Sequence, residues 1–128
     1  MDNINLNPGK PIMVVDDSWV IRQFIIKILR EKNYSNFVEA VDGIDALNKI
    51  EIEKPACLLL DLLMPRMNGF DLKTILNEKK IDVPTIFLTA DIQDATRKKS
   101  IELGAIGYVN KPPIEDELLL LIQKALNI

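Results

Sequence analysis

Asp16, Asp17, Asp61, Thr89 and Lys111 have the side-chain types and the settings that chemistry needs. Each stands at or just past the end of a short apolar run. "PIMVV" (11–15) is followed by Asp16-Asp17, "ACLLLD" (56–61) ends in Asp61, "PTIFLT" (84–89) ends in Thr89, and "IGYVN" (106–110) leads to Lys111. The chain contains no histidine. The commonest general base and metal ligand is therefore missing, and any chemistry falls to carboxylates, lysines and hydroxyls. Three carboxylates brought close together repel, at about 4 kcal/mol per pair for ~4 Å and an effective dielectric of ~20. A hard divalent cation resolves that repulsion. Mg²⁺ suits it, because it takes oxygen ligands, keeps several waters and leaves room for a phosphate. A carboxylate in such a site can attack a phosphoryl group and form an acyl phosphate. The metal and a lysine then neutralise the phosphoryl oxygens, and a threonine hydroxyl adds a hydrogen bond.

For these residues to meet, the apolar runs must be parallel strands with their C-terminal ends on one rim, where open α/β sheets bind their ligands. The pattern supports this. Ile21, Phe24, Ile25, Ile28 and Leu29 recur at helical spacing after Ser18. Asp42 caps a second helix marked by Ile44, Leu47 and Ile50, and Asn68 caps a third through Leu72, Ile75 and Leu76. Asp91 reads as the cap of a fourth helix that ends near Leu103 and Gly104, with Arg97–Lys99 as a solvated face. A fifth helix starts near Ile114, with Glu115, Asp116 and Glu117 in its first turn, where the helix dipole favours anions. With "NFVEA" (36–40) as a weak strand, the tally is five βα units. Alternating strands and helices imply an α/β fold with a doubly wound, five-stranded parallel sheet. In the last helix, Leu118 to Ile122 is an unbroken apolar run. One face hides only some of it, so Leu119 and Leu120 are expected largely outside, on a partner surface.

The bulk numbers are consistent with one domain. The chain has 128 residues and a net charge of −3. Residues 1–10 read as a flexible lead-in and 11–128 as the domain, with no room for an output domain. Scattered basic residues argue against nucleic-acid binding. No apolar run approaches the ~18 residues of a membrane span, and residues 1–11 lack a signal-peptide core. The single cysteine, Cys57, lies in an apolar run and reads as a small buried hydrophobe of a reducing, cytoplasmic setting.

The motifs "VVDDS" (14–18), "EAVDGIDAL" (39–47), "LLLDLLMPRMNG" (58–69), "FLTA" (87–90) and "YVNKP" (108–112) together resemble, in order and spacing, the receiver domains of two-component response regulators. The resemblance spans residues 11–128. It implies a flavodoxin-like sheet of order 2-1-3-4-5, as in CheY-like single-domain receivers. It implies Asp61 as phosphoacceptor for a histidine kinase. Asp17 and Asp61 would hold Mg²⁺, with Asp16 mostly through water and the Leu63 carbonyl as a further ligand. Thr89, the Ala90 amide and Lys111 would bind the phosphoryl group, Lys111-Pro112 would be cis, and Tyr108 would be an aromatic switch coupled to Thr89. The face of the fourth helix, fifth strand and fifth helix would meet a downstream effector, a phosphotransfer protein or a second copy of the chain. Leu63 is apolar where many relatives are polar, and Asp91 adds charge near Thr89. Both bear on the lifetime of the phosphoryl group.

Other functions fit the residues less well. A haloacid-dehalogenase-type phosphatase also uses an aspartyl phosphate, but its two acids stand two apart, not adjacent. A pseudo-receiver would be an interaction module without phosphorylation, and the intact acid, threonine and lysine set argues against it. Flavin binding lacks a hydroxyl- and glycine-rich loop after the first strand.

Overall fold

The computed structural model describes residues 4–90 and 93–128. Strands and helices alternate along them: β1 (Ile12–Val15), α1 (Trp19–Arg30), β2 (Phe37–Ala40), α2 (Gly43–Glu53), β3 (Cys57–Asp61), α3 (Gly69–Glu78), β4 (Thr85–Thr89), α4 (Asp94–Glu102), β5 (Gly107–Asn110) and α5 (Glu115–Leu126). Every strand pairing is parallel, in the order β2-β1-β3-β4-β5. The winding direction reverses between β1 and β3, the crevice where such sheets hold ligands.

The apolar runs form strands because the sheet is covered on both faces. Every residue of β1, β3 and β4 is buried. Alternate residues point to opposite sides. Ile12, Val14, Leu59, Ile86 and Leu88 meet Ile25 and Leu29 of α1 and Leu118 and Ile122 of α5. Met13, Val15, Leu58, Leu60 and Phe87 meet Ala46 and Ile50 of α2 and Leu72 and Leu76 of α3. Each fully buried aliphatic side chain contributes roughly 1.5–3 kcal/mol of transfer free energy.

The helices depart from the sequence pattern in informative places. α1 turns Arg22, Ile25, Ile26 and Leu29 to the sheet. Phe24, expected inside, is 43% exposed, and Ile26 takes its place. The core register starts on an arginine, so apolar spacing alone places the face one residue early. α4 starts at Asp94 with Gln93 in the cap position; Asp91, read as its cap, lies outside the described residues. In α5, Leu120 is exposed, but Leu119 is half-buried and packs on the α1-side core with Ala125 and Leu126. The expectation that both leucines lie outside therefore fails for Leu119. Residues 118, 119, 122, 125 and 126 form one broad helical stripe.

Residues 4–11, before β1, have no regular structure but are tied down. Asn7 is buried. Its Nδ2 donates to the Asn36 carbonyl at 2.7 Å, and its Oδ1 accepts from the Ser35 amide at 3.0 Å. Leu6 N donates to the Asn33 carbonyl at 2.8 Å.

Candidate functional site

Strand register builds the site. Val15 pairs with Leu60, so Asp16 and Asp61 follow side by side on neighbouring strands. Asp61 pairs with Leu88, one residue before Thr89, and Thr89 pairs with Asn110, one residue before Lys111. Residues distant in sequence thus share the C-terminal rim. Asp16 and Asp61 are buried, while Asp17 is exposed at the mouth. One oxygen from each of Asp16, Asp17 and Asp61 lies within 4.8 Å of the others.

Lys111 reaches into this cluster. Its Nζ is 2.9 Å from Asp61 Oδ2 and 3.0 Å from Asp16 Oδ2. Its amide donates to the Thr89 carbonyl at 3.0 Å, and the Lys111-Pro112 bond is cis. The remaining carboxylate oxygens are held by local turns. Asp16 Oδ1 accepts from Ser18 N at 2.8 Å, and Asp61 Oδ1 accepts from Leu63 N at 3.3 Å. Asp16 Oδ2 is buried without a well-aligned hydrogen bond. The ammonium beside it is an ion-pair neighbour at a poor angle. Burial pushes the Asp61 carboxyl up to about 6; Lys111 draws it down and the Asp16 charge pushes it up further. Burial works against the Lys111 charge, but Asp61 and Asp16 more than offset this and hold its pKa above the ordinary lysine value.

The donor set therefore fits a hard divalent cation. It offers three carboxylates against one ammonium, which leaves negative charge unneutralised. Thr89, Ala90 and Leu63 line an adjoining cleft of about 260 Å³. A larger cleft of about 470 Å³, lined by Lys54, Lys79, Ile81 and Asp82, lies at the opposite end of the strands, away from the acids.

The loop after Asp61 is locked in place by contacts that apolar patterning does not reveal. Gly69 N donates to the Leu62 carbonyl at 3.0 Å. A Cβ on Gly69 would lie 2.5 Å from the Asp61 carbonyl oxygen, so only glycine lets α3 start this close to the strand. Gly69→Ala is expected to cost roughly 1–3 kcal/mol and to disturb the Asp61 backbone. Denaturant unfolding with and without Mg²⁺ checks this; an unchanged midpoint would contradict the close approach. Arg66, at φ 70, forms an ion pair with Asp42, the cap of α2, and Met67 packs on Gly43. The pairing of a glycine with "NG" after a strand-end acid was the available signal for Gly69; nothing in the sequence announces the Arg66 pair.

Tyr108 is half-buried on β5, with the Arg97 guanidinium 5.6 Å from its ring centre. It packs on the α2/α3-side core and stands apart from the carboxylates. Leu119 and Leu120 lie on α5, away from the rim.

Comparison with known proteins agrees with this geometry. Residues 12–123 match the family model described as "Response regulator receiver domain". The Helicobacter pylori transcriptional regulatory protein CrdR is 34% identical over 119 residues, covering 92% of this chain and 55% of CrdR. The Bacillus subtilis alkaline phosphatase synthesis transcriptional regulatory protein PhoP is 35% identical over 104 residues, 81% of this chain and 43% of PhoP. The chain thus spans about half the length of these curated relatives. Among solved structures, the Francisella response regulator 1452 receiver domain superposes with a TM-score of 0.85 at 28% identity, covering 93% of this chain and 98% of that one. The Vibrio cholerae chemotaxis protein CheY4 gives 0.79 at 29% identity, with 91% and 98% covered.

Proposed function

The chain belongs to the response regulator receiver domain family, and from that premise we propose that it is a cytoplasmic phosphorylation switch with Asp61 as acceptor. One observation carries the reading most directly: Lys111 bridges the buried carboxylates of Asp16 and Asp61, with a third carboxylate close by, at the sheet's switch point. Asp16, Asp17, Asp61 and the Leu63 carbonyl would hold Mg²⁺. The bound ion supplies neutralisation of phosphoryl charge. Asp61 provides the nucleophile. One of its oxygens bonds to phosphorus as the phosphorus–nitrogen bond of a kinase phosphohistidine breaks, and the imidazole leaves with the bonding pair. Lys111 turns its ammonium from the Asp61 carboxylate to a phosphoryl oxygen. The Thr89 hydroxyl and the Ala90 amide donate to the others, and Tyr108 responds to the movement of Thr89.

The switched surface is the face of α4, β5 and α5, which carries Tyr108 and Leu120. It would meet a protein effector, a phosphotransfer protein or a second copy of the chain, a population shift driven by differential contacts. The chain catalyses its own transfer from small donors and is not a conventional turnover enzyme. Incubation with a small phosphoryl donor and Mg²⁺ tests the proposal, read by intact-protein and peptide mass spectrometry. One phosphoryl group on the Asp61 peptide is expected, and its absence would overturn the assignment.

A pH dependence follows. In the metal-free protein Asp61 titrates near pH 6. Below that pH a cation must displace its proton, so Mg²⁺ affinity is expected to fall by up to about tenfold per pH unit. Above it the affinity levels off. Calorimetric titration between pH 5 and 8 reads this directly, and a flat profile would contradict the raised pKa.

A further inference from the structure

Arg22 is 8% exposed, and none of the chemistry above uses it. It holds the first sheet-facing position of α1, in register with Ile25, Ile26 and Leu29. Its Nη1 donates to the Asp16 backbone carbonyl at 2.7 Å, and its Nε donates to Glu39 Oε1 on β2 at 2.8 Å. Gln23 Nε2 donates to the same glutamate oxygen at 2.8 Å. The Asp16 carbonyl lies where the chain leaves the sheet. The β1 pairings end at Val15, and the Asp16 amide makes the last bond, to Ala40 O at 3.1 Å. A charged donor makes the Arg22 bond stronger, and the planar fork fixes its direction.

We propose that Arg22 is a positioning residue for the divalent cation: its fork clasps the Asp16 carbonyl to Glu39 and so sets the turn from which Asp16 and Asp17 project. This rests on the metal-site reading above. Glu39 neutralises the guanidinium, so the clasp acts through geometry and not through its charge. The two modes have opposite signs. An unshielded cation would repel Mg²⁺, and removing it would tighten binding. A brace holds the ligands in place, and removing it weakens binding by roughly tenfold, the scale seen when a residue that orients a metal ligand is lost.

The test is calorimetric Mg²⁺ titration of the parent chain, Arg22→Met, Arg22→Lys and Glu39→Gln, well below the melting temperature of each. Arg22→Met is expected to bind roughly tenfold more weakly. Arg22→Lys, which reaches only one of the two acceptors, recovers part of the loss. Glu39→Gln keeps an acceptor for Nε but leaves the guanidinium unneutralised, so it weakens affinity through that repulsion alone and by less than Arg22→Met; a loss as large as that of Arg22→Met overturns a clasp that acts through geometry. Leu76→Ala serves as control: it destabilises the remote α3 packing and should leave Mg²⁺ affinity untouched. Unchanged or tighter binding in Arg22→Met overturns the clasp. If that variant does not fold, unchanged or tighter binding in Arg22→Lys overturns it. A parent chain that binds no Mg²⁺ overturns the metal site itself, and the two failures are thereby distinct.

Discussion

Asp61→Asn is expected to take up no phosphoryl group from any donor and, without metal, to be more stable than the parent chain. The first effect follows from chemistry: an amide oxygen is no nucleophile for phosphorus at neutral pH. The second follows from linkage. The Asp61 carboxyl is raised from 3.8 to about 6 by burial in the fold. The folded state therefore holds a proton that the unfolded chain releases between those values. The stability this contributes is fully present below about pH 3.8 and is lost as pH rises through about 6. At pH 7.5 the parent chain carries a buried charge it would be more stable without. Asparagine removes it while keeping an acceptor for Lys111. The gain is expected at about 1–3 kcal/mol in EDTA, shrinking as pH is lowered from 6 towards 4. Urea unfolding of both proteins across this range measures it. A variant that is less stable than the parent at pH 7.5 would contradict the strained carboxylate.

Lys111→Ala is expected to act in the opposite direction and to be rescued by the cation. It leaves the buried carboxylates of Asp16 and Asp61 facing each other with their ammonium gone. Removing one partner of a buried charge cluster typically costs about 3–5 kcal/mol. The loss should be largest in EDTA at neutral pH and smaller in acid, where Asp61 takes up a proton. Mg²⁺ should restore most of it, because the ion takes over the neutralising role. The ion also no longer competes with a fixed charge, so its affinity should rise, by about tenfold or more given like-charge repulsion at these distances. Phosphoryl uptake should persist, while partner binding by the phosphorylated form is lost. Thermal melts with and without Mg²⁺, together with calorimetry, check both signs. A variant that binds Mg²⁺ more weakly would place the lysine among the ion's supports rather than its competitors.

The sequence made the rim legible because buried parallel strands read as apolar runs, and a charged or hydroxyl side chain at or just past the end of such a run has no packing role to explain it. Asp16, Asp17, Asp61, Thr89 and Lys111 stood out for that reason. What stayed hidden depended on backbone proximity or on long polar side chains. Arg22 occupies a core position that patterning assigns to an apolar residue, which displaced the expected face of α1 onto Phe24. Leu119 reads as outward in the sequence because five apolar residues in succession exceed a narrow stripe, whereas α5 presents a broad one. Asn7 binds a loop 28 and 29 residues away, a pairing that no local pattern encodes. Gly69 has its reason in a carbonyl oxygen of another element.

The two sides of the rim differ in how much of the core they own. β1 and β3, which carry the acids, are buried along their whole length. α4 buries only Ser100 and leans on its surroundings through Arg97 over Tyr108 and Lys99 over Phe70, at 5.6 and 5.2 Å. A helix held this lightly is mechanically compliant, since little apolar area must be re-exposed to shift it. The molecule thus joins an anvil to a lever: the carboxylate end keeps its shape under load, and on the proposed reading the work of a modified aspartate would be delivered to the element that yields most cheaply.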